Sequence, residues 1–247
     1  MSENKFTGAD KSISVFFLCY NDELTIGLLV EDAVRILKEM NVDHEVIVVN
    51  DGSSDKSGDI LDELVKRYPC LRVINHGKNK GYGQAIKTGL RSCTKEMIFY
   101  TDGDGQYDVK EMPHLLESIE GFDMVNGYID KRSDPFYRII LGKIYAKLLK
   151  IILNINIRYV DCDYRLFKRC VIGDLKLESD GGFICAEMLK RIIDRGYKIK
   201  EVRVSHYARK SGKSQFFRVR NITGLLMDFA RFSLTYKAPE NEHRNCI

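Results

Sequence analysis

Short apolar runs alternate with segments of helical periodicity through the first half of the chain. Residues 13–19 form a nearly continuous apolar run, and residues 24–40 carry apolar side chains at helical spacing. Continuous apolar runs of this length are typical of strands covered on both faces. The same alternation predicts strands at 45–49, 71–75 and 97–101 and helices at 60–68 and 84–92. The pattern therefore predicts an α/β fold in which helices flank a mainly parallel sheet.

The second half of the chain is less regular. Strands are predicted at 123–128 and 199–204, and helices at 135–157, 181–195 and 216–236. No internal repeat, low-complexity segment or linker separates these elements from the first half. We therefore predict a single domain over residues 13–236, with tails at 1–12 and 237–247.

Composition and charge argue against several classes of protein. Charged residues make up 30% of the chain and apolar residues 44%, as in ordinary globular proteins. The net charge of +4 is too small and too mixed to indicate a nucleic-acid partner. Residues 1–11 lack the apolar core of a signal peptide, and no run approaches the roughly 18 apolar residues of a membrane span. We therefore expect a cytoplasmic protein, either free or peripheral on the cytoplasmic membrane face.

Polar clusters follow the first, second and fourth predicted strands. They occupy residues 20–23, 50–55 and 102–106, and a glycine-containing polar segment follows the third strand. In open parallel sheets, ligands bind outside the carboxyl ends of the strands. The clusters therefore predict one shared binding site at that edge of the sheet.

The cluster after the fourth strand has the composition of a metal site. Asp102 and Asp104 are two residues apart, so in an extended segment both carboxylates point to the same side. Two such carboxylates repel each other unless a cation lies beside them, and oxygen ligands favour Mg²⁺ or Mn²⁺. Gly103 and Gly105 permit close approach of a ligand, and Gln106 offers a further oxygen. An acidic surface turn is the alternative, but the position after a buried strand favours the metal.

The other clusters are individually less specific. Asp51 directly follows the second strand and is expected to bind ligand, whereas Ser54 or Asp55 is expected to cap the next helix. Lys80, beside Gly81, is expected to meet a phosphate. The first strand is not followed by the Gly-x-Gly-x-x-Gly pattern of dinucleotide-binding proteins, which argues against an oxidoreductase.

In combination and order, these motifs resemble the family 2 glycosyltransferases. The resemblance is to the polyprenyl-phosphate sugar transferases within that family, of the dolichol-phosphate mannosyltransferase type. It extends over residues 13–222. The matching positions are Tyr20, Asn21, Glu23, Asp51, Gly52, Ser53, Asp55, Asn79, Gly81, Gly83, the segment 102–106, the segment 161–167 and the segment 209–214.

The resemblance implies a GT-A-type fold and an inverting transfer from a nucleoside-diphosphate sugar, either GDP- or UDP-linked, to dolichyl or undecaprenyl phosphate. Residues 13–130 would form the donor-binding part and 131–236 the acceptor side. The implied metal ligands for Mg²⁺ or Mn²⁺ are Asp102, Asp104 and Gln106. The implied donor-binding residues are Tyr20, Asn21, Glu23, Asp51, Gly52, Ser53, Lys80, Gly81, Asp102, Gly103 and Asp104.

Two positions depart from the family pattern. Cys19 stands where the family usually has proline before the Tyr-Asn pair, and Asn50 stands where it usually has a second acid. The first departure is expected only to loosen the loop. The second bears on base recognition, so the resemblance leaves the nucleotide open.

A polyprenyl phosphate acceptor carries an ionised oxygen, so it needs cations to position it rather than a strong base. We therefore expect acceptor-phosphate contacts from basic and hydroxyl side chains of the second half. These candidates are Arg138, Arg165, Arg209, Lys213 and Ser214. Asp104, Arg138, Asp161 and Arg165 form the predicted catalytic set. Asp161 and Asp163 form a second Asp-x-Asp pair that is expected to orient the neighbouring arginines, with a second metal site as the alternative.

The two basic, apolar helices at 135–157 and 216–236 are expected either to lie in the membrane interface or simply to cover the core. The nearest alternative function is the same transfer to a saccharide or protein hydroxyl, for which Asp161 or Asp163 would be the general base. A nucleotidyltransferase is disfavoured because residues 19–23 contain neither a glycine-rich loop nor a basic residue. An inactive relative that only binds nucleotide is the remaining alternative.

Overall fold

The computed structural model describes residues 11–130, 136–173, 175–209 and 219–239, and it describes only the backbone of 136–141, 143 and 219–222. The strands are β1 (Ser12–Cys19), β2 (Asp43–Asn50), β3 (Leu71–Asn75), β4 (Met97–Asp102), β5 (Met124–Tyr128), β6 (Tyr164–Lys168) and β7 (Ile199–Arg203). The helices are α1 (Ile26–Glu39), α2 (Ser57–Arg67), α3 (Tyr82–Ser92), α4 (Met112–Ser118), α5 (Phe136–Leu153), α6 (Arg169–Gly173), α7 (Ile184–Asp194) and α8 (Val219–Thr235), with a 3-10 turn at Val109–Glu111.

The described residues form a seven-stranded sheet in the order β3-β2-β1-β4-β6-β5-β7. Strands β1 to β4 are parallel to one another, and β5 is parallel to β7. Strand β6 is antiparallel to both β4 and β5. This architecture confirms the predicted α/β fold with a mainly parallel sheet.

Strand β6 is the strand that was not predicted, and the short helices α4 and α6 were not predicted either. Strand β6 is inserted between β4 and β5, where Arg165 pairs with Tyr100 on one side and with Asn126 on the other. Four of its five residues are buried, including the arginine. A charged residue in so short a segment hides the apolar run that identifies a buried strand.

Two apolar layers cover the faces of the sheet. On one face, Leu37 of α1, Leu64 of α2 and Leu115 of α4 are buried in one cluster. On the other face, Ile86 of α3 and Leu189 of α7 belong to a second cluster. Burying each such side chain contributes roughly 1.5–3 kcal/mol, so these two layers hold the helices on the sheet.

Helix α5 is shorter than predicted. It ends at Leu153, and the following Asn154 has a positive φ of 52°, which a right-handed helix cannot contain. Among the described residues, no helix combines the length and apolar character needed to span a membrane.

The carboxyl ends of β1, β2 and β4 meet at one edge, as predicted. The Gly103 amide donates to the Leu18 carbonyl at 2.7 Å, and the Asp51 amide donates to the Cys19 carbonyl at 2.9 Å. Backbone hydrogen bonds therefore join the three strand ends, and they bring the polar clusters that follow them together.

Candidate active site

Carboxylates from three parts of the chain converge at this edge of the sheet. Asp102 ends β4 and Asp104 lies two residues beyond it, while Asp22 follows β1 and Asp163 precedes β6. The Thr25 hydroxyl donates to the Gly103 carbonyl at 2.6 Å, which fixes the backbone between Asp102 and Asp104. We call Asp22, Asp102, Asp104 and Asp163 the acidic cluster.

Burial and mutual repulsion disfavour the ionised forms of the carboxylates in the acidic cluster. Burial, followed by the charges of Asp163, Asp104 and Asp22, raises the pKa of Asp102 well above its usual value. Burial likewise raises the pKa of Asp163, although Arg165 and the hydroxyl of Tyr82 act in the opposite direction. A cation bound among these groups would relieve both effects.

The oxygen atoms present fit a divalent metal ion. Oδ1 of Asp102 is buried without a hydrogen-bond partner among the described residues. A buried carboxylate oxygen left unpaired is costly, and Mg²⁺ or Mn²⁺ would supply its partner. The described residues contain no ready-made group of three or more His, Cys, Asp or Glu ligands. Mg²⁺ commonly keeps several waters and binds substrate phosphates beside one or two carboxylates.

The neighbourhood of Gln106 links this segment to the chain after β7. Its side-chain amide lies 3.3 Å from Nε2 of His206 and donates to the Tyr207 carbonyl at 3.3 Å. Its backbone amide donates to Oδ1 of Asp104 at 2.9 Å. Gln106 therefore stands beside the carboxylates, while its role as a metal ligand stays a prediction.

The loops after β1 and β2 support each other. The Asn21 side chain accepts from the Ser54 amide at 2.7 Å, and the Asn21 amide donates to the Ser53 hydroxyl at 3.0 Å. Glu23 accepts from the Lys56 amide at 2.9 Å. Tyr20, partly exposed, lies at the start of the same loop. These residues are thus brought together at one edge, and their contacts with a donor stay a prediction.

Asp51 organises the loop that follows β3. Its Oδ1 accepts from the Lys80 amide at 2.9 Å and lies 2.7 Å from Nδ1 of His76, and its Oδ2 accepts from the Gly81 amide at 3.0 Å. Nε2 of the buried His76 lies 3.0 Å from the Thr88 hydroxyl. Asp51 therefore positions Lys80 and Gly81, a structural role that the sequence analysis did not assign to it.

The N-cap position of α2 is Lys56, which makes no side-chain capping hydrogen bond, so neither Ser54 nor Asp55 is the cap itself. Asp55 lies one residue earlier and still contacts the start of the helix. Its Oδ1 accepts from the Ser57 amide at 3.0 Å at the start of α2, and its Oδ2 accepts from the Glu23 amide at 3.0 Å. The carboxylate therefore connects the first turn of the helix to the loop after β1 through hydrogen bonds.

Replacing Gly52 with alanine is expected to destabilise the protein by about 2–3 kcal/mol and to weaken nucleotide binding. Gly52 has a φ of 72°, and an added Cβ would lie 2.6 Å from the Asn79 amide nitrogen. The loop carrying Lys80 must then move. Urea unfolding and nucleotide titration check this, with Gly77→Ala as the matched control because an added Cβ there meets nothing within 4 Å. Equal stability of the two variants would contradict this account.

Arg209 is the acceptor-side candidate that the structure brings to the acidic cluster. Its guanidinium is hydrogen-bonded to Oδ2 of Asp104. Arg138 lies in α5 with its side chain outside the described residues, and Lys213 and Ser214 lie outside the described residues altogether. Asp161 is partly buried near Tyr145 of α5. Burial raises the pKa of Tyr145, and the charge of Asp161 raises it further. The predicted orienting role of Asp161 stays a prediction.

Arg165 does not lie where a phosphate-binding residue must lie. The residue is completely buried, and its guanidinium donates to Oδ1 of Asn126 at 2.9 Å and to the Tyr100 hydroxyl at 2.9 Å. The Val160 carbonyl accepts a third hydrogen bond. Its prediction as an acceptor-phosphate and catalytic residue is therefore corrected: three internal oxygens occupy the guanidinium, which stabilises β6 beneath the acidic cluster.

Two further residues of this site were not predicted as ligand-site residues. Asp22 was visible in the first polar cluster, and its Oδ2 accepts from the Tyr20 amide at 2.9 Å. Tyr82, in the first turn of α3, donates its hydroxyl hydrogen bond to Asp163. Sequence spacing gives no signal for the second contact, because residues 81 positions apart meet only in the folded chain.

Asp22→Asn is expected to remove part of the pH dependence of stability in the metal-free protein. Burial raises the pKa of Asp22 from 3.8 to about 6, with a smaller contribution from the charge of Asp104. Because this folded-state pKa exceeds the unfolded value, stability is lost as the pH rises from about 4 through about 6. The variant should lose about 2 kcal/mol less than the wild type between about pH 4 and pH 7.5.

Urea unfolding in the presence of a chelator checks this expectation. Asp62→Asn, an exposed carboxylate on α2, is the control and should follow the wild type at both pH values. An unchanged pH dependence in Asp22→Asn would show that the carboxylate of Asp22 is not held in a desolvated setting.

Solved structures with similar folds are glycosyltransferases bound to nucleotides and metals. Glucosyl-3-phosphoglycerate synthase from Mycobacterium tuberculosis, in complex with Mg²⁺ and UDP, matches with a TM-score of 0.69 at 19% identity over 90% of this chain and 79% of that one. The mannosyltransferase PcManGT from Pyrobaculum calidifontis, in complex with GDP-Man and Mn²⁺, matches with a TM-score of 0.64 at 19% identity over 96% of this chain and 67% of that one. These likenesses support the GT-A-type fold.

Curated relatives are named for a lipid-phosphate acceptor. Undecaprenyl-phosphate 4-deoxy-4-formamido-L-arabinose transferase from Photorhabdus laumondii is 30% identical over 210 residues, which cover 83% of this chain and 63% of the relative. The transferase of the same name from Pectobacterium carotovorum is 27% identical over 210 residues, with the same 83% and 63%. The chain therefore spans less than two thirds of the length of these relatives. Residues 14–175 match Glycosyl transferase family 2, and the chain belongs to this family.

Proposed function

We propose that the protein transfers a sugar, with inversion at the anomeric carbon, from a nucleoside-diphosphate sugar to polyprenyl phosphate. The observation that carries this proposal is the acidic cluster at the ligand edge of the sheet, with the unpaired buried Oδ1 of Asp102. In a family 2 chain whose relatives are named undecaprenyl-phosphate transferases, this cluster supports metal-assisted transfer to a lipid phosphate.

The chain's own residues would prepare the donor for attack. Asp102, Asp104 and Gln106 would hold Mg²⁺ or Mn²⁺, which would stabilise the charge that develops on the leaving diphosphate. The exposed Lys80, positioned through its own amide by Asp51, would approach the same diphosphate. The loops that contain Asn21 and Ser53 would flank the nucleoside.

The sugar of the proposed donor is linked to either GDP or UDP. The fold neighbours bind UDP in one case and GDP-mannose in the other, so they support the class of donor and do not distinguish its members. Asn50, where the family usually has an acid, bonds to Oδ1 of Asn75 through Nδ2 at 2.9 Å and accepts from the Ser53 amide at 3.0 Å. This residue is thus committed to the loops that would surround the base.

The acceptor phosphate would be positioned by basic side chains rather than activated by a base. We propose Arg138, Lys213 and Ser214 as contacts with the acceptor phosphate, with Arg209, which reaches the acidic cluster, between that phosphate and the donor's diphosphate. The attacking phosphate oxygen is already ionised, so no proton has to be removed. Asp163, a candidate base for a hydroxyl acceptor, accepts a hydrogen bond from Tyr82 within the acidic cluster.

Two helices offer a surface for the lipid. On α5, Ile144, Ile151 and Ile152 are at least half exposed beside the exposed Lys147 and Lys150. On α8, Leu226, Met227 and Leu234 are exposed, while Leu225 and Phe232 of the same helix are buried against the core. Apolar side chains flanked by lysines favour an interface with anionic lipid. We therefore propose that the protein acts as a peripheral protein on the cytoplasmic membrane face.

A turnover assay with matched acceptors tests the proposed function. GDP- and UDP-linked sugars are incubated with the protein, Mn²⁺ or Mg²⁺ and a short polyprenyl phosphate, and labelled product is counted in the organic phase. We expect metal-dependent lipid product with polyprenyl phosphate and none with the polyprenol of equal length. Product on a saccharide or protein hydroxyl would contradict the acceptor, and absence of turnover with every donor would contradict catalysis.

A further inference from the structure

The segment after β7, residues 204–209, is bound to the loop that carries the proposed metal ligands. The Tyr207 amide donates to the Gln106 carbonyl at 2.8 Å, and the Ser205 amide donates to Glu111 at 3.0 Å. Tyr107 and His206 form an antiparallel bridge, with their rings 5.2 Å apart. These contacts hold the post-β7 segment against the residues that follow Asp104.

Arg209, at the end of the post-β7 segment, forms an ion pair with Asp104. Its guanidinium pairs with Oδ2, while Oδ1 accepts from the Gln106 amide at 2.9 Å. Asp104 is only 5% exposed, so both of its oxygens are engaged by protein donors in a confined position. A metal ion that approaches Oδ2 would compete with the guanidinium for that side of the carboxylate.

We infer that Arg209 is an internal cation that competes with the divalent metal for Asp104 and that moves from Asp104 to the donor's diphosphate when metal and nucleotide bind together. This inference rests on the proposed function. Arg209 would then offset negative charge both before and after donor binding. Without donor it faces the acidic cluster, and with donor bound it faces the diphosphate.

The electrostatics of the acidic cluster explain why the guanidinium stays until it is replaced. Burial raises the pKa values of Asp22 and Asp102, and the charge of Arg209 acts in the opposite direction, which favours their ionised forms. Its departure alone would leave these carboxylates uncompensated, whereas a divalent ion brings more charge to the same place. The side chain of Arg209 is 29% exposed, so it can leave Asp104 without opening the core.

Metal and nucleotide binding are therefore linked through Arg209. Metal alone must displace a guanidinium that then loses its carboxylate partner, so we expect the metal alone to bind weakly. A nucleoside diphosphate supplies the new partner, so it strengthens metal binding, and by reciprocity the metal strengthens nucleotide binding. Nucleotide phosphates also bind the metal directly and strengthen its binding without any help from Arg209. The movement of Arg209 is therefore measured only by the part of the affinity gain that is lost when Arg209 is replaced.

Mn²⁺ binding to wild type and Arg209→Gln, measured by electron paramagnetic resonance of the free ion, tests the inference without turnover. Without nucleotide, the variant should bind Mn²⁺ about 10-fold more tightly than the wild type, because the competing cation is gone. With GDP or UDP present, the additional gain in Mn²⁺ affinity should be about 10-fold smaller in the variant, because the diphosphate has lost its guanidinium partner.

Two further variants make the result specific. Arg209→Lys keeps the competing charge and should change the metal-only affinity less than Arg209→Gln does. Arg72→Gln removes an arginine that pairs with Glu45 at the opposite edge of the sheet, and it should bind Mn²⁺ as the wild type does. Thermal unfolding of each variant establishes that it is folded.

An Arg209→Gln protein with unchanged or weaker metal-only affinity would overturn the inference, and so would equal effects of glutamine and lysine. A wild type that binds no Mn²⁺ with or without nucleotide would overturn it together with the proposed metal site. If metal and nucleotide bind as expected but no sugar reaches a lipid, the proposed function falls while the role of Arg209 stands.

Discussion

Asp104→Asn is expected to lower kcat/KM for sugar transfer at least about 1,000-fold, because it removes a charged ligand from the ion that stabilises the leaving diphosphate. The asparagine keeps the size of the side chain and an oxygen that can accept the Gln106 amide. The fold should therefore persist. Steady-state rates at several Mn²⁺ concentrations provide the measurement, and added metal should restore only a small part of the activity.

Asp130→Asn is the matched control for this substitution. Asp130 follows β5 at the same edge of the sheet and is exposed, where it pairs with Arg203 at 3.1 Å. Loss of this carboxylate should leave the rate within about 2-fold of the wild type, since an exposed ion pair contributes little. If Asp104→Asn were as active as Asp130→Asn, the acidic cluster would not be the catalytic metal site.

Arg165→Met is expected to destabilise the protein by about 3–5 kcal/mol, because it removes the buried guanidinium and leaves its acceptors unpaired. Asn126, Tyr100 and the Val160 carbonyl each accept one hydrogen bond from Arg165. Methionine fills similar space but donates nothing. The free energy of unfolding in urea, measured with chelator present, checks this expectation.

Arg169→Met provides the comparison at the other end of β6. Arg169 is exposed, and its guanidinium donates to the Thr94 carbonyl. This variant should lose no more than about 1 kcal/mol. An Arg165→Met protein of wild-type stability that fails to use polyprenyl phosphate would instead restore the acceptor role that the sequence suggested.

The parallel half of the fold could be predicted because its signals are local. The apolar runs at β1, β2 and β4 identify strands covered on both faces, and polar residues mark their ends. The insertion of the antiparallel β6 between β4 and β5 has no such signal. Strand order depends on which apolar faces fit together, and a five-residue segment containing Arg165 does not indicate that it is a buried strand.

The same distinction applies to the candidate site. The convergence of Asp51 and Asp102 at one edge follows from the topology of parallel strands, so the sequence predicted it. The position of the Arg165 guanidinium could not be predicted, because side-chain direction within β6 depends on its partners. The contacts of His76 with Asp51 and of Tyr82 with Asp163 join distant parts of the chain and exist only after folding.

The linkage and anomeric configuration of the product test the central claim most directly. A single wild-type reaction with the accepted donor and polyprenyl phosphate is extracted, and the lipid product is analysed by mass spectrometry and proton NMR. The proposed mechanism predicts one sugar joined through a phosphodiester to the polyprenyl chain, with the anomeric configuration opposite to that of the donor. A product with retained configuration, or with the sugar on a hydroxyl group, would contradict it.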